Sequence, residues 1–306
     1  MTTCLANGIQ LSYDSWGDPH AQTILLIAGL GTQRIRWSEP FCHMLVAKGY
    51  RVIRYDNRDA GGSTHFTACP TPDFGALAQA MAAGKQPQVP YTLHDMACDT
   101  VGLLDALGIA QAHVVGRSMG GMVAQIVASD YPTRVLSLTS IMSSTGNPSL
   151  PPASPEVMAW LTQSAPHPQE DEAGFLAHGL AFARRIASPG FPLEEDAYRA
   201  LLVEEIRRAY DPTAFARQLA AIAVTGDLRP ALRRITAPSL VVHGADDFLV
   251  PAACGQDTAN AIAGAEFMLV DGMGHDLPAA LHQQVADRIA RVAQRPLPRE
   301  PLLAPC

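Results

Sequence analysis

HVVGRSMGGMVAQ, residues 113–125, changes its periodicity at its centre. His113 to Val115 end a run that reads as a buried strand, and Met119 to Gln125 begin a helix. Ser118 stands at the junction, with Gly116 two residues before it and Gly120 two residues after. A tight strand-to-helix turn lifts such a serine out of the sheet, and side chains at the two flanking positions would collide across the turn, so glycine fills both. A serine hydroxyl is a poor nucleophile at neutral pH; to act, it needs a base within reach and donors for the oxygen of an attacked carbonyl. The plainer alternative is that Ser118 only caps the helix beginning at Met119. Partner residues elsewhere in the chain decide between the two.

An activated serine requires an imidazole, and the imidazole requires a carboxylate that fixes its tautomer and stabilises its charged form. Of the ten histidines, most have weak claims: His113 lies in a strand run, His94 and His178 in helical patterns, and His20 in a turn. His275 follows FMLVDGMG, on a glycine-punctuated loop just past the C-terminal end of a strand, where open parallel sheets gather their chemistry. His282, the runner-up, is embedded in the next helix. SLVVHGADDFLVP (239–251) again ends a strand with carboxylates in the turn. Asp246 and Asp247 compete there. Asp247, four residues ahead of Pro251, is preferred for its place in the chain order Ser, Asp, His, and one of the pair is left to cap the helix near Pro251.

Around these motifs the chain alternates strand and helix, the signature of an α/β fold. TILLIAG (23–29), YRVIRYD (50–56), SLVVHG (239–244) and FMLVDG (267–272) are continuous apolar runs suited to strands buried on both faces, while IQLSYD (9–14) alternates like an antiparallel edge strand. TLHDMACDTVGLLDALG (92–108) is helical in period and stops at Gly108. From about 144 to 225 no strand run is read and helical stretches follow one another between prolines, as in an inserted helical unit. A second excursion, 68–90, is long enough to expect a functional role, and the proline-rich tail 296–306 reads as poorly ordered. With 306 residues, 48% of them hydrophobic, the chain can bury a substantial core as one large domain carrying an insertion. A net charge of −7 offers no basic field to nucleic acid or to an anionic membrane. No apolar run approaches the roughly 20 residues of a membrane span, and MTTCLANGIQ has no signal-peptide pattern, so a cytoplasmic location is expected. The six cysteines are scattered without a C-x-x-C pair; reduced thiols are expected, with no disulfide framework, metal or cofactor.

GRSMGG, GADDFLVP and GMGH, in that order and each after a strand run, resemble the motifs of the α/β-hydrolase superfamily over nearly the whole chain except the helical insertion and the tail. The resemblance implies an eight-stranded, mostly parallel sheet flanked by helices, with a catalytic triad of Ser118, Asp247 and His275. It divides the chain into a core, 1–143 and 226–295, and a helical cap, 144–225, with 68–90 as a lid-like excursion. It also implies an oxyanion hole built from the backbone N–H groups of Met119 and Leu30, although Ala28-Gly29-Leu30-Gly31 lacks the histidine often found in that loop. YDNRDAGGST (55–64) resembles the superfamily's D-x-R-G-x-G-x-S loop, with Asp59 in place of its glycine; Asp56 and Arg58 read as structural ties.

A hydroxyl nucleophile with an oxyanion hole means acyl transfer, so the expected partner is a small-molecule ester or lactone. The cap offers Met158, Trp160, Phe175, Phe182, Phe191 and Tyr198 as candidate substrate contacts, and its acidic clusters, including Glu204-Glu205, read as solvated helix faces. By resemblance to the anthracycline methylesterases and the serine-dependent macrolide esterases, the leading expectation is an esterase that opens a macrolactone ring and inactivates an antibiotic. A general carboxylesterase, methylesterase or small-lactone hydrolase is the alternative, and a non-catalytic ligand receptor on the same fold is the alternative of another class.

Overall fold

A computed structural model describes residues 2–297. Eight strands form one sheet: β1 (Thr2–Ala6), β2 (Ile9–Trp16), β3 (Thr23–Ile27), β4 (Arg51–Tyr55), β5 (Ala112–Arg117), β6 (Val135–Ile141), β7 (Ser239–Gly244) and β8 (Glu266–Val270). Their spatial order is β1-β2-β4-β3-β5-β6-β7-β8. β2 runs antiparallel to both neighbours, and the pairings from β4 to β8 are parallel. Among the described residues the helices are α1 (Glu39–Val46), α2 (Phe74–Ala82), α3 (Leu93–Ala106), α4 (Met119–Asp130), α5 (Pro155–Leu161), α6 (Glu172–Ile186), α7 (Glu195–Arg208), α8 (Ala214–Thr225), α9 (Arg229–Leu232), α10 (Ala252–Ala261) and α11 (His282–Ala293).

The sheet is buried because helices cover both faces. Alternation along β3 sends Leu25 and Ile27 into a layer with Leu93 and Leu104 of α3 and Val123 and Val127 of α4. Ile24 and Leu26 point the other way, into a layer with Trp37, Phe41 of α1 and Val285 and Ile289 of α11. α3 starts at a reciprocal cap: the Asp95 N–H donates to the Thr92 hydroxyl, and Asp95 Oδ2 accepts from the Thr92 N–H at 2.8 Å. It ends ahead of Gly108, whose φ of +66° lets the chain turn away.

Two strands escape the reading of apolar runs. β6 carries Ser137, Thr139 and Ser140 inside the sheet, and these break its apolar signal. Burial of the two serines is tolerated because partners meet them: Ser137 Oγ lies 2.9 Å from His113 Nδ1, and Gln125 donates to Ser140 Oγ at 3.0 Å. β1, mostly exposed, pairs outside β2 and forms the edge, so the edge position expected for 9–14 is corrected: that strand is second in the sheet. α5 to α9 occupy the chain between β6 and β7, α5 to α8 of them within 144–225, and the 68–90 excursion contains α2. The tail expected from 296 lies, from 298 onward, outside the described residues.

The turn between β5 and α4 is set by backbone crowding. A Cβ added at Gly116 would lie 2.0 Å from the Gly120 carbonyl oxygen, and one at Gly120 would lie 2.4 Å from the Ile27 carbonyl oxygen. Both obstacles are main chain, so the strand and helix would have to separate. We expect Gly116→Ala to cost about 3 kcal/mol of stability, seen as a lower urea midpoint at unchanged slope; a midpoint equal to the parent's would show that this close approach is dispensable.

Candidate active site

Ser118 holds φ 53° and ψ −124°, a left-handed conformation that a non-glycine residue adopts only under constraint. Its N–H donates to the Ile141 carbonyl at 2.9 Å, and its own carbonyl accepts from the Gly121 N–H and the Ser143 hydroxyl, both at 2.8 Å. Although Ser118 occupies the N-cap position of α4, its side chain makes no capping bond. Its Oγ lies instead 3.0 Å from His275 Nε2.

His275 reaches that position from the loop after β8, which is clamped between neighbouring backbones. The His275 N–H donates to the Ile186 carbonyl at 2.7 Å, and the Gly274 N–H donates to Ser188 Oγ at 2.9 Å. His275 Nδ1 lies 2.7 Å from Asp247 Oδ2. A carboxylate can only accept, so Nδ1 carries the proton and Nε2 presents a lone pair to the serine. Asp247 is buried, which by itself raises a carboxyl pKa. The facing imidazole of His275 and the bonds from His243, His275 and the Val250 N–H outweigh burial and hold it well below the usual carboxylate range. Its Oδ1 accepts from the N–H groups of Leu249 and Val250 at 3.0 and 2.7 Å.

The geometry separates the candidates that sequence order left in competition. Asp246 faces away from the imidazole and accepts the Gly272 N–H at 2.9 Å, bracing the loop that carries His275. His282 packs edge-on against Phe41, with ring centroids 5.3 Å apart. His243, fully buried on β7, was not singled out from sequence: its Nε2 lies 2.8 Å from the Val250 carbonyl and 3.5 Å from Asp247 Oδ2, so it braces the acid from behind. The only signal for it was a histidine inside an apolar strand, four residues before the acid.

The glycine loop after β3 crosses directly over the serine. A Cβ on Gly29 would stand 3.3 Å from Ser118 Cβ. The Ala28 carbonyl accepts from Asn57 at 3.0 Å, and the Gly29 carbonyl accepts from the Thr32 hydroxyl at 2.9 Å. Among the described residues the Leu30 N–H has no hydrogen-bond partner, and the Met119 N–H, first in α4, has no intrahelical acceptor.

The side chains expected from 144–225 as substrate contacts are differently engaged. Tyr198 lies under the Arg36 guanidinium, Phe175 meets Tyr210 edge-on, and Trp160 packs against His178 and under Arg185. Phe191 rests on the core, Phe182 is half-buried and Met158 is exposed. Glu204 is exposed as expected, but Glu205 is not on a solvated face: it pairs bidentately with Arg36 at 2.8 and 2.7 Å, which corrects the reading for that residue. A cleft of about 370 Å³ lies between α5, α6 and the loop after β7, lined by Ser154, Glu156, Val157, Arg185 and Phe248. Asp59, His65 and Asp211 converge closely enough to hold a cation, but Arg217 already pairs with both carboxylates.

A carboxyl held below its unfolded pKa contributes stability that is complete above the unfolded value, about 3.9, and is lost as pH falls toward the folded value. The stability gap between the parent and Asp247→Asn should therefore be widest at neutral pH and narrow below about pH 4. Urea titrations of both proteins across pH 2.5 to 7, a range of about five units around that carboxyl value, would reveal a constant gap if the acid were not ionised in the fold.

The model of the alpha/beta hydrolase fold family matches residues 22–278. Rhodomycin D methylesterase DnrP of Streptomyces peucetius is 29% identical over 92% of this chain and 94% of its own. Rhodomycin D methylesterase DauP of Streptomyces sp. strain C5 is 30% identical over 89% and 91%. The crystal structure of the enol-lactonase from Burkholderia xenovorans LB400 superposes with a TM-score of 0.68 at 27% identity, covering 95% of this chain and 97% of that one. Together with the sheet order and the strand-end loops that carry Ser118, Asp247 and His275, these matches establish that the chain belongs to the α/β hydrolase fold family.

Proposed function

We propose that the protein hydrolyses carboxylic esters and lactones through an acyl-enzyme on Ser118. The observation that carries this reading is the unbroken relay from Ser118 Oγ to His275 Nε2 at 3.0 Å and from His275 Nδ1 to Asp247 at 2.7 Å. Ser118 Oγ attacks the carbonyl carbon while His275 Nε2 takes the hydroxyl proton, and Asp247 stabilises the imidazolium. The carbonyl oxygen, now an oxyanion, accepts from the Leu30 and Met119 N–H groups. His275 passes its proton to the departing alkoxide; water, deprotonated by the same nitrogen, then releases the acid and restores the serine. An ester yields acid and alcohol, whereas a lactone yields a single hydroxy acid.

In this reading 1–143 and 226–295 supply the machinery and 144–225 covers it, with 68–90 as a second cover. The cap meets the site's own loops: Ser154 N–H donates to the Phe248 carbonyl at 3.0 Å, one residue from the acid, and Ile186 accepts from His275. Exposed Met158 and Phe248, half-buried Phe182 and the cleft at Val157 and Arg185 offer apolar surface to a bulky substrate. The substrate class we favour is the methyl ester of a bulky glycosylated polyketide. Its support is that the two methylesterases align over nine-tenths or so of both chains. Ring opening of a macrolactone is the second reading, favoured by the enol-lactonase match and by the same two covers.

Incubation with an anthracycline methyl ester should release methanol and leave a product lighter by one methylene, whereas macrolactone opening would add one water. Small p-nitrophenyl esters hydrolysed in preference to both would replace these substrates with a general esterase activity. Ser118→Ala should lower kcat by about 10⁴-fold or more and abolish labelling by a fluorophosphonate. Unchanged turnover in that variant, or a parent chain that resists the label, would overturn the serine mechanism and leave a ligand receptor in its place.

A further inference from the structure

Asp59 occupies a position where the resembling loop has glycine, and its backbone holds φ +63°, the region glycine visits freely and an L-residue does not. The aspartate gains buried partners there. Its carboxylate, fully buried, receives Arg217 Nε at 2.8 Å and Nη2 at 2.7 Å, the Tyr91 hydroxyl at 2.5 Å and the Phe66 N–H at 2.7 Å. Arg217 is also fully buried and lies on α8, where it bonds Asp211 and Thr213 as well. Burial lowers an arginine pKa, yet the Asp59 hydrogen bond, largest of the influences, and that of Asp211 raise it, so the cation stays fixed.

The next residue on α8 is Gln218, with no exposed surface. Its Oε1 accepts the Gly31 N–H at 2.8 Å, and its Nε2 donates to the Arg58 carbonyl at 2.8 Å, one residue before Asp59. Phe215, two residues before Arg217, closes on the same loop: a Cβ on Gly31 would lie 2.7 Å from its ring. The loop so gripped is the one that crosses Ser118 and carries the free Leu30 N–H.

We propose that α8 is a fixed wall of the oxyanion hole, in which Asp59 anchors the helix through Arg217 so that Gln218 holds Gly31 and aims the Leu30 N–H. Gln218 and Asp59 are positioning residues; neither touches the reacting atoms. The loop lacks the histidine often found there, and the amide of Gln218 supplies from the cap a restraint on that loop. This inference rests on the acyl-enzyme reading above, because an aimed N–H matters only where an oxyanion forms.

The consequence is specific to the transition state. Gln218→Met keeps the volume but removes the acceptor for Gly31, and Gln218→Glu restores an acceptor. Gln218→Met should lower kcat on a p-nitrophenyl ester by about tenfold to a hundredfold with KM nearly unchanged, a fraction of the loss on deleting an oxyanion donor outright. Affinity for a trifluoromethyl ketone, whose serine adduct carries the oxyanion, should fall by the same factor as kcat/KM. Gln218→Glu should recover part of both. Asp59→Gly, which relieves the backbone but frees Arg217, should show the same pattern, and Asp59→Asn keeps the test available if another variant fails to fold.

Unchanged kcat and inhibitor affinity in Gln218→Met, a loss confined to KM, or a fall in kcat without a parallel loss of inhibitor affinity would each overturn the proposal. Fluorophosphonate labelling of the parent separates the two claims. A parent that is not labelled removes the acyl-enzyme reading itself; a labelled parent with an indifferent Gln218→Met removes only the role of α8.

Discussion

Ser118 sits in a backbone conformation, φ 53° and ψ −124°, that costs about 1–3 kcal/mol and persists only where the surroundings over-determine it. Here they do. The carbonyl oxygens of Gly120 and Ile27 leave no room for side chains at Gly116 and Gly120, and Ile141 and Ser143 hold the serine's own amide and carbonyl. The strain raises the hydroxyl above the sheet edge and turns the first N–H groups of α4 toward the same space. Everything else in the site is arranged around that fixed point.

The loops that meet the serine are placed by backbone contacts as much as by side chains. Gly244 lies where a Cβ would come 2.1 Å from the Met273 carbonyl oxygen, so the ends of β7 and of the histidine loop touch directly. Asp246 and Asp247, adjacent in sequence, serve different partners because their side chains diverge: one bonds the Gly272 N–H and the other the imidazole. The residual acceptor capacity of Asp247 is filled by two N–H groups, which keeps the acid ionised while buried.

Buried charge joins α7 and α8 to the loops after β3 and β4. Asp56 receives the Arg34 N–H at 2.7 Å and Arg208 of α7 at 2.5 Å, and Arg58 pairs bidentately with Asp99 at 2.6 and 2.7 Å. Such pairs add little net stability, since desolvation offsets attraction, but breaking one strands a buried charge at a cost of about 3–5 kcal/mol. They therefore specify one seating of α7 and α8 on the core. The expectation that Asp56 and Arg58 are structural ties agrees with this. Glu204 is exposed as its solvated-face reading expects, but Glu205 departs from that reading because its cation, Arg36, lies far away in the sequence.

Sequence by itself determined the alternating fold, the corner at Ser118 and the strand-end loops bearing His275 and Asp247. These depend on local signals, namely glycine at crowded turns, apolar runs and the order of motifs along the chain. It did not yield β1, whose residues are mostly exposed, or β6, whose Ser137 and Ser140 find partners only in three dimensions. Only the tertiary structure decided between Asp246 and Asp247, placed His243 behind the acid, and brought Gln218 of α8 onto the glycine loop, 187 residues away in the chain. Each of these depends on the direction of one side chain relative to a distant backbone. Periodicity and spacing carry no such information; the packing that fixes the direction does.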